Sequence, residues 1–242
     1  MRLLSFRLDD EASFGAVVEG RIVDFGRHLP EFDSLRALLE GNALVRALDT
    51  AAEVSADHRL DKVTRLPPIT DPAHVLCVFD EARDEPVAIN PKFLRGADQP
   101  LLIPGGDAKP IAVGVALVVG AGDESGDASI AGMTLVSYLS PAALAVGPWL
   151  VTTDELAGAD AFTLSVDVDG QTADVHLADL RAVVRRLAAT AELQAGDVIA
   201  VLKFLTEVSA AADDIITLGC DLIGTLKNPV VAEANTVTIA HT

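Results

Sequence analysis

Apolar residues along this chain fall mostly into short strand-like segments, some alternating and some continuous, and take a helical period in two places. Residues 2–8 alternate toward SFRL, and 15–23, GAVVEGRIV, are rich in β-branched residues with Gly20 at a turn. Residues 34–52 place Leu35, Leu38, Leu39, Leu44 and Leu48 at helical spacing, with Ser34 as a cap. Leu66-Pro67-Pro68 then interrupts both periods and reads as a linker. Beyond it, VLCVF at 75–79 is a short buried strand. Residues 80–104 are polar, punctuated by proline and loop-like. The strongest apolar run, 111–119 within PIAVGVALVVG, predicts a strand covered on both faces. A glycine–acid turn follows at 120–126. Strands are predicted at 133–139 and 149–152, and a hairpin at 162–175 turns on Asp169-Gly170. Leu177, Leu180, Val183, Val184, Leu187 and Ala191 predict one amphipathic helix over 177–192. Strands at 198–205, 214–218 and 222–231 complete the pattern. Many strands and few helices give a β-rich α+β class. The organisation is a small N-terminal domain over 1–66 and a larger domain over 67–242.

Composition narrows the function classes. Half of the 242 residues are apolar, so a large core is available. No apolar run reaches the ~18 residues that span a bilayer, and the first segment lacks a cleavage signal. These readings predict a soluble cytoplasmic protein with no membrane partner. The net charge of −18, from 36 acids and 18 bases, repels phosphate backbones and argues against nucleic acid. Cys77 and Cys220 read as two buried thiols of a reducing compartment. The five histidines show neither HxH nor HExxH spacing, so no metal site is read from them.

Three stretches carry a resemblance: GPWLVT at 147–152 with Asp154-Glu155 after it, QAGDVIA at 194–200, and IGTLKNPV at 223–230. Together with the opening MRLLSFR and GAVVEGRIVDF, they resemble the fumarylacetoacetate hydrolase family, including its 2-hydroxyhepta-2,4-diene-1,7-dioate isomerase-like members. The resemblance covers nearly the whole chain. It implies a mixed β-sandwich roll behind a small N-terminal domain, in a homodimer. It also implies chemistry on β-dicarbonyl or 2-oxo acids, assisted by a divalent cation held by two glutamates and an aspartate. Hard cations of this kind take carboxylate oxygens.

This sequence departs from the family at those residues. The glutamate strand, roughly D-Y-E-x-E-L-A-V-V-I-G, here has Ala112 and Gly114 at the two ligand positions, and Tyr138 stands at the aspartate of G-Y-T-x-x-N-D-V-S. The histidine expected after the strand at 75–79 is missing. The lysine-bearing segment shrinks to 141–146, and the TGTPxG loop becomes Val201–Thr206. Of F-x-K-P only Phe93-Leu94-Arg95-Gly96 remains. The losses cluster on one pocket while the scaffold motifs persist, which implies a fold kept for a different use without metal or other cofactor.

Ala112 and Gly114 are therefore expected to open space, with Leu135, Val136, Leu202 and Phe204 making it wider and drier, and Arg95 and Lys203 as the remaining bases. Such a site suits a bulky apolar molecule. The leading expectation is a metal-independent enzyme that steers cyclisation or rearrangement of a polyketide-like, tetronate-type intermediate. In it Tyr138 donates a hydrogen bond to a carbonyl or enolate, and Glu207, Asp84 or Glu85 moves a proton. Two alternatives stand beside it: a non-catalytic binding or scaffold protein, and family chemistry with ligands relocated to the acids at 80–85. Tyr138 reads equally well as a core residue, Trp149 as core packing, 80–85 as a solvated acidic loop, and Lys203 as a side chain snorkelling outward.

Overall fold

Strand alternation governs most of the architecture. The computed structural model describes residues 1–79, 85–122, 129–139, 143–156 and 158–233. The chain opens with strands β1 (Arg2–Leu8), β2 (Glu11–Val18) and β3 (Arg21–Asp24). Helices α1 (Phe25–His28), α2 (Leu35–Glu40) and α3 (Leu44–Glu53) follow. Short strands β4 (His58–Arg59) and β5 (Thr64–Arg65) precede β6 (Val75–Phe79). Three more short strands, β7 (Val87–Ala88), β8 (Leu94–Arg95) and β9 (Leu101–Pro104), lie in the stretch expected to be loop. The long strands are β10 (Lys109–Val119), β11 (Ile130–Leu139) and β12 (Ala143–Thr152). A hairpin of β13 (Phe162–Val168) and β14 (Gln171–Leu177) leads into α4 (Leu180–Ala188). The described chain ends with β15 (Val198–Ala210), β16 (Ile215–Cys220) and β17 (Gly224–Glu233).

Among the described residues the strands form two mixed sheets. The larger has the order β4-β3-β2-β1-β12-β11-β10-β15-β6-β7, with β5 on β1 and β8 on β12. The smaller has the order β14-β13-β16-β17-β9. This is the β-rich α+β fold expected from the pattern. Residues 1–66 join the larger sheet through β1, whose Arg2 and Leu3 pair with Val151 and Leu150 of β12.

The larger sheet is covered on both faces. One face packs against Phe25, Leu35, Leu38, Leu39 and Ala47 of the three N-terminal helices. The other meets the smaller sheet and Leu180, Val184 and Leu187 of α4. Strand β10 sits in the middle and is buried from Ile111 to Val119, which is why its sequence is an unbroken apolar run.

Two helices differ from the pattern. The single helix expected over 34–52 is interrupted at Gly41-Asn42, where Asn42 takes a left-handed φ of 51°. Ser34 does cap the first piece, its hydroxyl accepting from the Ala37 N–H at 3.1 Å. In the helix expected over 177–192, Leu177 instead belongs to β14, paired with Phe162, and the left-handed Asp179 delays the helix to Leu180.

The scaffold motifs hold corners. Trp149 Nε1 donates to the Ile223 carbonyl at 2.6 Å, joining GPWLVT to IGTLKNPV. Gly224, at φ 120°, leaves room for that indole, since a Cβ there would lie 3.0 Å from it. The buried Asn228 amide donates to the Gly96 and Gln99 carbonyls, both at 2.8 Å, and clamps the loop after β8.

Candidate functional site

Register decides which residues share the remodelled site. Ala112 pairs with Tyr138 of β11 on one side and with Phe204 of β15 on the other. Paired residues point to the same face, so Phe204, Ala112 and Tyr138 form a row across three strands. One step along, Leu202, Gly114 and Val136 form the next row, and Phe79 of β6 pairs with Leu202. The Phe79 ring touches both aromatics of the first row. It stacks on Phe204 at 5.1 Å and 18°, and meets Tyr138 edge-on at 5.1 Å and 65°. Such offset and edge contacts are the favoured geometries of aromatic pairs.

The trio grades from interior to surface. Phe79 is buried, Tyr138 is half-buried, and Phe204 is 36% exposed. Phe79 was not among the residues singled out from the sequence. The available signal was a bulky ring at the end of VLCVF, where the family resemblance calls for glycine.

Space does not open where the sequence suggested. Ala112 is fully buried, and a Cβ on Gly114 would fall 1.8 Å from the Val201 carbonyl oxygen. The β15 backbone occupies the room that a side chain at Gly114 would need. The expectation of a wider cavity at this point is thus replaced by a closed floor beneath an aromatic surface.

Of the other expected wall residues, Val136 and Leu202 lie on this face and are buried. Leu135 and Lys203 do not. Leu135 pairs with Val115 and Lys203 with Val113, which puts both on the opposite face, because neighbours in a strand alternate. Arg95 pairs with Ala145, again on that opposite face, and its guanidinium donates to the Lys92 and Leu94 carbonyls at 2.9 and 2.7 Å. Glu207 is exposed on a stretch of β15 that bulges away from β10, whose Ala112 and Pro110 pair with Phe204 and Ser209. Glu85 is exposed, and Asp84 lies outside the described residues with the rest of 80–84. The turn expected at 120–126 and the segment 141–146 also fall partly outside them.

Cys77 lies on the same strand as Phe79 and is fully buried, which pushes its thiol up to about 12. At about pH 8 a thiol of this kind is nearly all protonated and unreactive. Iodoacetamide is expected to leave Cys77 unmodified in the folded protein and to alkylate it once urea has unfolded the chain. Peptide mass analysis checks this, and labelling at Cys77 in the folded protein would contradict its burial.

Comparison with known proteins fits this geometry. Residues 124–231 match the family described as fumarylacetoacetate (FAA) hydrolase, C-terminal. The match takes in a little under half of the chain and marks it as similar to that family's C-terminal domain. Maleylpyruvate hydrolase from Sphingobium sp. SYK-6, solved with manganese(II) and pyruvate, superposes with a TM-score of 0.80 at 20% identity, covering 96% of this chain and 99% of that one. Fumarylacetoacetate hydrolase from the psychrophile Exiguobacterium antarcticum gives 0.75 at 19% identity, over 96% and 100%. The 2-hydroxyhepta-2,4-diene-1,7-dioate isomerase of Mycobacterium marinum gives 0.66 at 20% identity, over 97% and 99%. At these identities the likeness speaks for the fold. No curated protein matches the chain.

The residues of this chain do not fit the divalent cation that the resemblance implies. Its three positions carry a methyl, a hydrogen and a phenol, and a hard dication asks for several anionic oxygens. Gly114 has no room for a side chain. Among the described residues, no group of three or more His, Cys, Asp or Glu side chains could share an ion.

Proposed function

We propose that this protein is a metal-independent enzyme on a fumarylacetoacetate hydrolase-like scaffold. It holds a bulky, largely apolar intermediate against the Phe79, Phe204 and Tyr138 rings and steers its cyclisation or rearrangement. The observation that carries this reading is the aromatic row itself. Three rings from three separate strands meet over Ala112, where the family resemblance calls for carboxylates.

An aromatic surface binds extended unsaturated chains through stacking and area. Folding a flexible chain against it into a reactive shape can supply up to ~7–11 kcal/mol through proximity and orientation. No group need leave in a cycloaddition, so a shaped surface suffices as the main element. Tyr138 is the polar member of the trio. Its phenol donates a hydrogen bond to a carbonyl or enolate of the substrate, in the manner of an oxyanion donor. A tetronate-type head group offers such an oxygen. Where a proton must move, Glu207 on the exposed part of β15 is the described acid on the strand that carries Phe204.

Incubation with a linear polyene bearing a 1,3-dicarbonyl head group tests the proposal. The expected result is a product ratio that departs from buffer alone. Phe204→Ala should lower that rate about tenfold, and Tyr138→Phe should lower it to a lesser degree. An unchanged product ratio removes the cyclisation reading for that substrate. Binding without turnover would favour the non-catalytic alternative. Stoichiometric magnesium or manganese in protein purified without chelator would sink metal independence.

A further inference from the structure

The opposite face of β15 borders a hollow of about 540 Å3 beside the β14–α4 connection. Val78, Leu177, Val183 and Val201 give it an apolar floor. Lys203, Arg186 and His176 stand around it, with Asp179 as the one acid that lines it. His176 shares a 2.9 Å hydrogen bond with the Thr163 hydroxyl. None of the three bases forms an ion pair among the described residues.

The local balance of charge in this hollow runs against that of the chain. Acids outnumber lysines and arginines 36 to 18 along the chain as a whole. Here three bases converge on one apolar floor and meet a single acid. Pockets with a mostly apolar lining and a few converging polar groups are the usual form of a small-molecule site. The sign of the polar groups selects an anion, and the floor selects a hydrocarbon body.

We propose that this hollow binds an aliphatic carboxylate, with its head group on Lys203 and Arg186 and its chain along Val78, Leu177, Val183 and Val201. A charge-assisted bond to a carboxylate is stronger than a neutral one, and a guanidinium can grip both oxygens. The site is distinct from the aromatic surface. Lys203 pairs with Val113 and points to the face opposite Phe204, and Leu202 is the lining residue that the two sites share.

Calorimetric titration of the full chain with decanoate, and with decanol as its neutral counterpart, tests the assignment. Decanoate is expected to bind about tenfold more tightly than decanol, and raised salt should narrow the gap. Lys203→Met and Arg186→Met should each weaken decanoate about tenfold and leave decanol unchanged. Both residues are exposed, so folding should survive, as circular dichroism would verify. Phe204→Ala should leave both affinities unchanged, which separates this site from the proposed catalytic surface. Equal affinity for the two molecules, or no binding of either, would overturn the assignment. So would a loss of decanoate caused by Phe204→Ala and not by Lys203→Met.

Discussion

Gly114→Ala is expected to destabilise the protein by about 3 kcal/mol, the upper end of what one inserted methyl ordinarily does. The physical cause is local and unavoidable. The added carbon would sit 1.8 Å from the Val201 carbonyl oxygen and 3.1 Å from the Leu202 Cα. These are backbone atoms of the neighbouring strand, so no rotamer change relieves the contact. Relief requires β15 to move away from β10 at the centre of the larger sheet. There Gly114 pairs with Leu202, and both flanking faces are packed. Urea unfolding of the two proteins measures the difference. A midpoint unchanged from the parent would show that the strands have slack at this point. The same contact means that restoring glutamate at Gly114 should not rebuild a cation site in this chain.

Asp197→Ala is the second large expectation, a loss of about 3 kcal/mol or more. The Asp197 carboxylate is fully buried. One oxygen accepts from the His74 N–H at 2.8 Å. The other accepts from the Gln194 N–H at 2.8 Å and lies 3.1 Å from His74 Nδ1. It therefore pegs the turn before β15 to the residue that precedes β6. Alanine leaves those two backbone donors without their acceptor. Asp197→Asn should be intermediate, because an amide oxygen accepts on one side while its NH2 opposes a donor on the other. Urea unfolding again provides the measurement, and retention of full stability by the alanine variant would refute the peg.

The sequence pattern revealed the long elements because they obey one period for many residues. Phe162–Val168 alternates in burial at every position, and β10 is buried throughout, as its apolar run requires. The two-residue strands β7 and β8 and the four-residue β9 were hidden, since so few residues show no period. The break at Asn42 was hidden because the apolar spacing runs on across it. At the site, the positions that lost carboxylates were readable from the resemblance. The aromatic row was not, because Phe79, Tyr138 and Phe204 meet only after β6, β11 and β15 are placed. Leu135 and Lys203 were grouped with Val136 and Leu202 by nearness in sequence, and the alternation of a strand sends them to the far face. Gly114 looked like empty room because a sequence records the volume of a side chain and not the position of a carbonyl on the next strand.

Trp149, Asn228 and Asp197 bind one stretch of backbone to another, and each lies in a segment by which the family is recognised. What relatives share most visibly is therefore joinery. Such joints can pass unaltered through a change of trade, since none of them needs to touch a reactant. Kinship detected through them dates the building and leaves its present occupant unnamed. For chains of this kind, transfer of an activity from a relative should rest on the three positions held here by Ala112, Gly114 and Tyr138, read one at a time.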